Sequence, residues 1–500
     1  MSGEKPREIA ARVLGRRGGA EFIEALLDRA LAKAGLTGPD RRLCQELVYG
    51  VVRWQATLDW LIARKTGART QKPALQDLLQ LGLYQVFWLE SIPNHAAVHE
   101  TVEMAKRAGF GPQAGFINAV LRGYLREFEP TRQLLADLKV TQPHLGYSHP
   151  EWLVKRWQQR WGAEQTGQLM TWNNTPPKTF ARVNTLKADA GKLVAQWREE
   201  GVEYDFVRAD WLEENLVFEL KSHPPLARLP SFQQGFFYIQ DPSTLLAVDV
   251  LQPRPGEAVL DMCAAPGGKL THIAQQMRNE GRLVAHDISR ERIGLIEENC
   301  ARLGVKQVET VCSGPQTTPK GAFTKPGLPY PQHRKSNLYL DGPQGPMDLN
   351  PDDCPPQSQI SLPGEGQLGL AAAGLSRKGL GPSPQFDRVL VDAPCSNTGV
   401  MRRRVDLRWR IRPEEITRLK RAQIGLLRQA APLLKPGGTL IYSTCSLEPE
   451  ENEEVVAEFL AENRGFQMNL ARALWPVRDR VDGAYVARIV GPVAGSFSVP

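Results

Sequence analysis

The sequence predicts a chain of three parts: an all-α bundle, a small α+β subdomain, and a C-terminal α/β domain on a mostly parallel, doubly wound sheet. Three observations carry this reading. Apolar residues recur at helical spacing, without strand-like alternation, in "AEFIEALLDRALAKA", "RRLCQELVYGVVRWQATLDWLIAR" and "ALQDLLQLGLYQVFWLE". The stretch that follows mixes helix and strand patterns. From about Gln240 onward, apolar runs of strand length alternate with helical segments, as βαβ units require.

The expected boundaries are 1–138 for the bundle, 139–237 for the small subdomain and 238–492 for the α/β domain. In the bundle, "SIPNHAAVHETVEMAKRAG" sets Pro93 and Asn94 at a helix start. "TQPHLGYSHPEWLV" reads as a linker into a short helix, and "KTFARVNTLK" as a strand ending in a turn. In the third part "AVLDMCA" leads to "GGKLTHIAQQM" and "GRLVAHDI" to "SRERIGLIEENCARLG"; "FDRVLVDAP" and "GGTLIYSTC" are further strands. Residues from about 313 to 384 break the pattern: about a third are Gly or Pro, with no sustained periodicity. This is expected to be an insertion, since the core closes without it.

Composition narrows the function. Of the 500 residues 42% are hydrophobic and 23% charged, the balance of a soluble globular protein. The net charge of +7 and pI of about 9.0 favour a polyanionic partner such as RNA. No run approaches the roughly 18 apolar residues of a membrane span. The N-terminus reads as a polar amphipathic helix, so no signal peptide is expected. Seven scattered cysteines, with no CxxC pair, argue against a disulfide framework or a metal site and for the cytoplasm.

Four segments carry chemistry. "LDMCAAPGGKLTHIA" ends a strand at Asp261 and reaches a helix through Pro266, Gly267 and Gly268, where glycines and free N–H groups admit a ligand. An ordinary strand–helix turn has the same composition. Asp287 ends the next strand 20 residues after Gly267, the spacing of an acid that holds ribose hydroxyls; it or Ser289 is equally a helix cap. Together they indicate a nucleoside-bearing cofactor, NAD or S-adenosylmethionine, and the missing third glycine leans against NAD. "VLVDAPCSNTG" delivers Asp392 and Cys395, and "IYSTCSLEPEENEEVV" delivers Cys445. A lone cysteine is usually a small buried residue. Two at strand ends, one three residues after an acid, fit methylation at a pyrimidine C5. There a thiolate adds to C6, an acid protonates N3, and C5 becomes able to take a methyl group.

"DMCAAPGGK", "DAPCSNTG" and "YSTCS" resemble the RNA 5-methylcytosine methyltransferases of the Sun (RsmB/Fmu) family. "DRRLCQELVYGVVRW" resembles the NusB-like helical domain of its 16S rRNA branch; "HPEWLVKRW" and "NNTPPKTFARVNTLK" resemble its middle subdomain. The resemblance implies a NusB-like bundle and a Rossmann-like class I methyltransferase domain that modifies one 16S rRNA cytosine, of the position-967 type. Cys263, Ala264, Ala265, Pro266, Gly267, Gly268 and Lys269 would hold S-adenosylmethionine, with Arg292 beside Asp287 on its ribose and Asp392 near its methionine part. Cys445 would be the nucleophile, Cys395 would assist breakdown of the adduct, and Asp392 is the candidate N3 acid. Lys269 would lower a thiolate pKa or touch phosphate.

RNA contact is expected from Arg182 and Asn184, and from Arg402, Arg403, Arg404, Arg408 and Arg410 with Trp409 in "MRRRVDLRWR". A solvated loop would carry the same charges. The family's Asp after the "VETV" strand is missing, which leaves Asp341 as its candidate replacement. A monomer is expected. Two alternatives stay open: a tRNA 5-methylcytosine methyltransferase, and a catalytically impaired RNA-binding assembly factor.

Overall fold

The computed structural model describes residues 5–314 and 386–493. The predicted insertion beyond Gly314, and Asp341 with it, lies outside these. The described chain forms two compact units. One runs to Pro176 and adds Met401–Ile411; the other holds 177–314, 386–400 and 412–493. The division between the two units falls at Pro176.

The first unit is helical. Helix Pro73–Trp88 is its centre, since residues on every side of it are buried, from Leu75 to Val86. Helices Pro6–Leu14, Ile23–Lys33, Gly38–Arg53, Gln55–Thr66, Asn94–Arg107 and Ala114–Arg126, with Val405, supply the rest of one core. Past Thr141 the structure departs from the expected linker and short helix. It forms a turn, Pro143–Gly146, and then a long helical stretch, Glu151–Asn173, broken at Gly162 where φ is 80°.

The second unit contains two sheets. In the smaller, β1 (Thr179–Val183), β2 (Glu203–Phe206), β3 (Val217–Ser222) and β4 (Phe237–Ile239) form an antiparallel sheet in the order β2-β3-β1-β4. Helix Ala190–Glu200, capped by Asp189, sets Trp197 edge-on against Phe218 and Phe237.

The larger sheet holds β5 (Ala258–Asp261), β6 (Arg282–Asp287), β7 (Val308–Cys312), β8 (Phe386–Asp392), β9 (Leu434–Thr444), β10 (Gln467–Leu474) and β11 (Ala484–Val490). Their order is β10-β11-β9-β8-β5-β6-β7. The pairs β5–β6, β5–β8, β6–β7 and β8–β9 are parallel, and β11 is antiparallel to β9. Alternate residues feed opposite cores: Val259, Leu390 and Ile441 one face, Leu260, Val389, Val391 and Leu440 the other. Strand order reverses between β5 and β8. At such a switch point the carboxyl ends of neighbouring strands open a crevice, and Asp261, Asp287, Asp392 and Thr444 all end strands on that edge. No helix among the described residues is long and apolar enough to cross a membrane.

Candidate active site

Four strand ends converge on one edge, and the loops after them carry the candidate residues. After β5 the chain turns through Cys263–Pro266, and Gly267, at φ 103°, opens helix Gly268–Gln276. An L side chain rarely adopts that φ, so glycine belongs there. Arg182 holds this helix start from beneath. Its guanidinium donates to the Gly268 carbonyl at 2.8 Å, to Gln240 Oε1 at 2.5 Å and to Thr271 Oγ1 at 2.9 Å.

Three carboxylates line the edge. Asp287 accepts from the Ala265 N–H at 3.3 Å and lies 3.4 Å from Arg292, which donates to the Ala265 carbonyl at 2.9 Å. Ser289 caps the following helix, so the capping role falls to the serine. Asp392 accepts from Lys269 Nζ at 2.7 Å and from the Ser443 hydroxyl at 2.7 Å. Burial would lower the Lys269 pKa, but Asp392, with Cys445 and Asp261 in support, raises it overall. Asp261 is different: burial first, then repulsion from Asp392, pushes it up to about 7. Desolvation and the three surrounding carboxylates hold the Cys263 thiol far above its ordinary range. Three carboxylates thus face two cations, Lys269 on Asp392 and Arg292 on Asp287.

The two cysteines meet. Cys395 Sγ lies 3.3 Å from Cys445 Sγ. The Cys445 thiol donates to Asn397 Oδ1 at 3.0 Å, and Asn397 Nδ2 donates to the Cys395 carbonyl at 2.7 Å. Asn397 sits at φ 57°, a conformation asparagine tolerates better than most residues. The Gly399 N–H donates to the Cys445 carbonyl at 3.0 Å, and a Cβ at Gly399 would lie 2.6 Å from that oxygen, so the close approach of the two loops requires glycine. A hydrogen bond to Cys445 and burial together hold the Cys395 thiol well above its ordinary pKa. Cys395 is buried, and Cys445, partly exposed, is the more accessible sulfur of the two.

Several predicted RNA contacts have other tasks. Arg182 and Asn184 are 1% and 2% exposed, which leaves neither a surface to offer RNA. Asn184 Nδ2 donates to the Gly235 and Leu303 carbonyls, both at 2.8 Å. In Met401–Ile411, Arg408 is fully buried in the helical unit. It donates to the Ser148 and Asn173 carbonyls at 3.1 Å and to Asn174 Oδ1 at 2.9 Å, and burial lowers its pKa to about 9. Arg402 stacks on Trp172 with its carbon 4.1 Å from the ring centre, and Trp409 Nε1 donates to the Val52 carbonyl at 2.8 Å. These three hold the segment in place. Only Arg404 of the set is exposed, with Arg403 and Arg410 half-buried. Sequence reasoning missed Asn397, the raised pKa of Asp261, and Glu451, which bonds both cysteine loops. The one available signal was that each lies in or just beyond a segment already singled out.

The model of the 16S rRNA methyltransferase RsmB/F family matches residues 248–325 and 373–490, the NusB family model 4–126, and a ferredoxin-like domain model of RsmF/B-like methyltransferases 149–219. "Probable ribosomal RNA small subunit methyltransferase B" of Bacillus subtilis is 34% identical over 93% of this chain and 90% of its own. The protein of the same name from Synechocystis is 34% identical over 89% and 86%. The solved structure of PH0851 matches 97% of this chain and all of its own with a TM-score of 0.69, at 23% identity.

Proposed function

The chain belongs to the RsmB family of S-adenosylmethionine-dependent small-subunit rRNA methyltransferases, and from that premise we propose that it methylates C5 of one cytosine of 16S rRNA, of the position-967 type, through a covalent bond between Cys445 and C6. The observation that carries the reading is the 3.3 Å contact between Cys395 and Cys445 beside the Lys269–Asp392 pair.

The cofactor fits the pocket on charge. S-adenosylmethionine brings a sulfonium and an ammonium to an edge of three carboxylates, of which Asp392 pairs with Lys269 and Asp287 with Arg292, leaving Asp261 without an ion-pair partner of its own. The Gly268–Gln276 helix start offers N–H groups, Asp287 is the acceptor for ribose hydroxyls, and Arg292 steadies both Asp287 and the Cys263–Lys269 loop. When bound, the cofactor supplies an electrophilic methyl group.

The protein's own residues do the rest. Cys445 adds as thiolate to C6. Lys269, whose ammonium interacts with Cys445 as well as with Asp392, faces the cysteine rather than serving a phosphate. Asp392 gives a proton to N3, with the Lys269 ammonium behind it as the source. C5 then carries the electron density that accepts the methyl group. Loss of the C5 proton to solvent and return of the N3 proton to Asp392 restore the ring as Cys445 leaves. Cys395, held as a thiol, hydrogen-bonds the departing sulfur. Arg404, with Arg403, offers charge to the RNA backbone. The enzyme works as a cytoplasmic monomer.

Transfer of labelled methyl to deproteinised 16S rRNA, mapped by bisulfite sequencing, tests this. One cytosine protected by the wild type and unprotected with Cys445→Ala is the expected result. Protection only in tRNA would move the substrate, and RNA binding without transfer would favour an assembly factor.

A further inference from the structure

One buried group grips both cysteine loops at once. Glu451, six residues past Cys445, is 0% exposed. Its Oε1 accepts the Ser396 N–H at 2.8 Å and Gln423 Nε2 at 3.1 Å. Its Oε2 accepts the Ser396 hydroxyl and, at 2.6 Å, the Ser446 hydroxyl. Ser396 follows Cys395 and Ser446 follows Cys445, so one carboxylate spans the two loops. Gln423 also donates to the Pro394 carbonyl at 2.9 Å, and the Tyr442 hydroxyl donates to the Glu451 carbonyl at 2.5 Å.

A carboxylate leaves water only if other donors replace its solvation. Here four neutral donors do so, and burial still raises the Glu451 pKa. Joining two loops needs no charge, because the Ser396 and Ser446 hydroxyls, 3.0 Å apart, reach each other directly. What the carboxylate adds is direction: as an acceptor only, it orients both hydroxyls and the Ser396 N–H toward one point.

We propose that Glu451 is a positioning residue for methyl transfer, the shared anchor that holds the Cys395 and Cys445 sulfurs at their working separation. The inference rests on Cys445 being the nucleophile. Without the carboxylate the loops keep the Ser396–Ser446 and Gly399–Cys445 hydrogen bonds but lose the shared acceptor that sets their spacing, and displacement of a reacting group by about 1 Å costs roughly 10²-fold in rate.

Two readouts on the full-length protein test it: steady-state kinetics, and the rate at which diamide, taking up the two thiol hydrogens, joins Cys395 and Cys445 as a disulfide. With Glu451→Ala, kcat falls about 10²-fold while KM for S-adenosylmethionine and for RNA stay put, and disulfide closure slows. Glu451→Gln recovers most of both, because the serine hydroxyls can turn to accept from the amide. An unchanged kcat with Glu451→Ala overturns the proposal whatever the closure rate. Should that variant fail to fold, Ser396→Ala and Ser446→Ala each remove one tether; lower kcat at unchanged melting temperature supports the anchor, and wild-type kcat in both overturns it. Closure needs neither RNA nor methyl transfer, so a wrong nucleophile assignment shows in adduct trapping and leaves this readout intact.

Discussion

Lys269 Nζ lies 2.7 Å from Asp392 Oδ2, an ion pair that ties the cofactor loop to the end of β8. Neither partner is fully buried, so the pair is worth less than a dry one. It still screens Asp392 from Asp261. Lys269→Ala and Asp392→Asn should each lose about 1–3 kcal/mol in urea unfolding. The double variant should lose less than the sum, by about 0.5–3 kcal/mol. Strict additivity would show the two side chains act separately. Both variants should also lower kcat, since the N3 proton and its source are removed.

Asp261 gives the protein a pH dependence of definite sign. Its folded pKa of about 7 lies above the ordinary carboxyl value of 3.8. Between those values the folded protein holds a proton that the unfolded chain has lost. Its contribution is therefore full below about pH 4 and is lost as pH rises toward 7, amounting to at most about 4 kcal/mol. Asp261→Asn should flatten the stability profile over that window and melt higher than wild type at pH 8. A parallel loss in both proteins would exclude Asp261 as the cause.

The same titration should appear in cofactor binding. Ionised Asp261 favours a cationic ligand, so S-adenosylmethionine should bind about tenfold tighter at pH 8 than at pH 6. Calorimetry of wild type and Asp261→Asn checks this, with the variant expected to be nearly flat.

Arg408 and Arg404 separate structure from RNA contact within one short segment. Arg408→Met leaves the carbonyls of Ser148 and Asn173 and the amide oxygen of Asn174 without their donor. It should destabilise the protein by about 2–4 kcal/mol. Arg404→Ala should leave melting unchanged, weaken RNA binding and reduce its salt slope by about one. An equal effect of both on RNA affinity at unchanged stability would return Arg408 to the RNA surface.

Much of this was legible in the sequence because periodicity reports burial. The apolar run in "FDRVLVDAP" and the helical spacing of "ALQDLLQLGLYQVFW" each carry their own evidence, and the strand ends of a parallel sheet share an edge by topology. The arginines were not legible, since Arg404 and Arg408 are chemically identical and only the helices packed around Met401–Ile411 decide which is buried. Glu451 lay hidden in "EPEENEEVV" for the same reason: in an acidic run, spacing does not show which carboxylate turns inward. The pairing of Asn397 with Cys445 depends on a turn at positive φ that no local pattern announces.

The most direct test of the central claim is covalent trapping. Cys395→Ala, incubated with S-adenosylmethionine and 16S rRNA, should accumulate a denaturation-resistant protein–RNA adduct, because the thiol that helps Cys445 depart is gone. Peptide mapping should place the RNA on Cys445, and Cys395→Ala combined with Cys445→Ala should form none. An adduct that persists in the double variant would contradict the account.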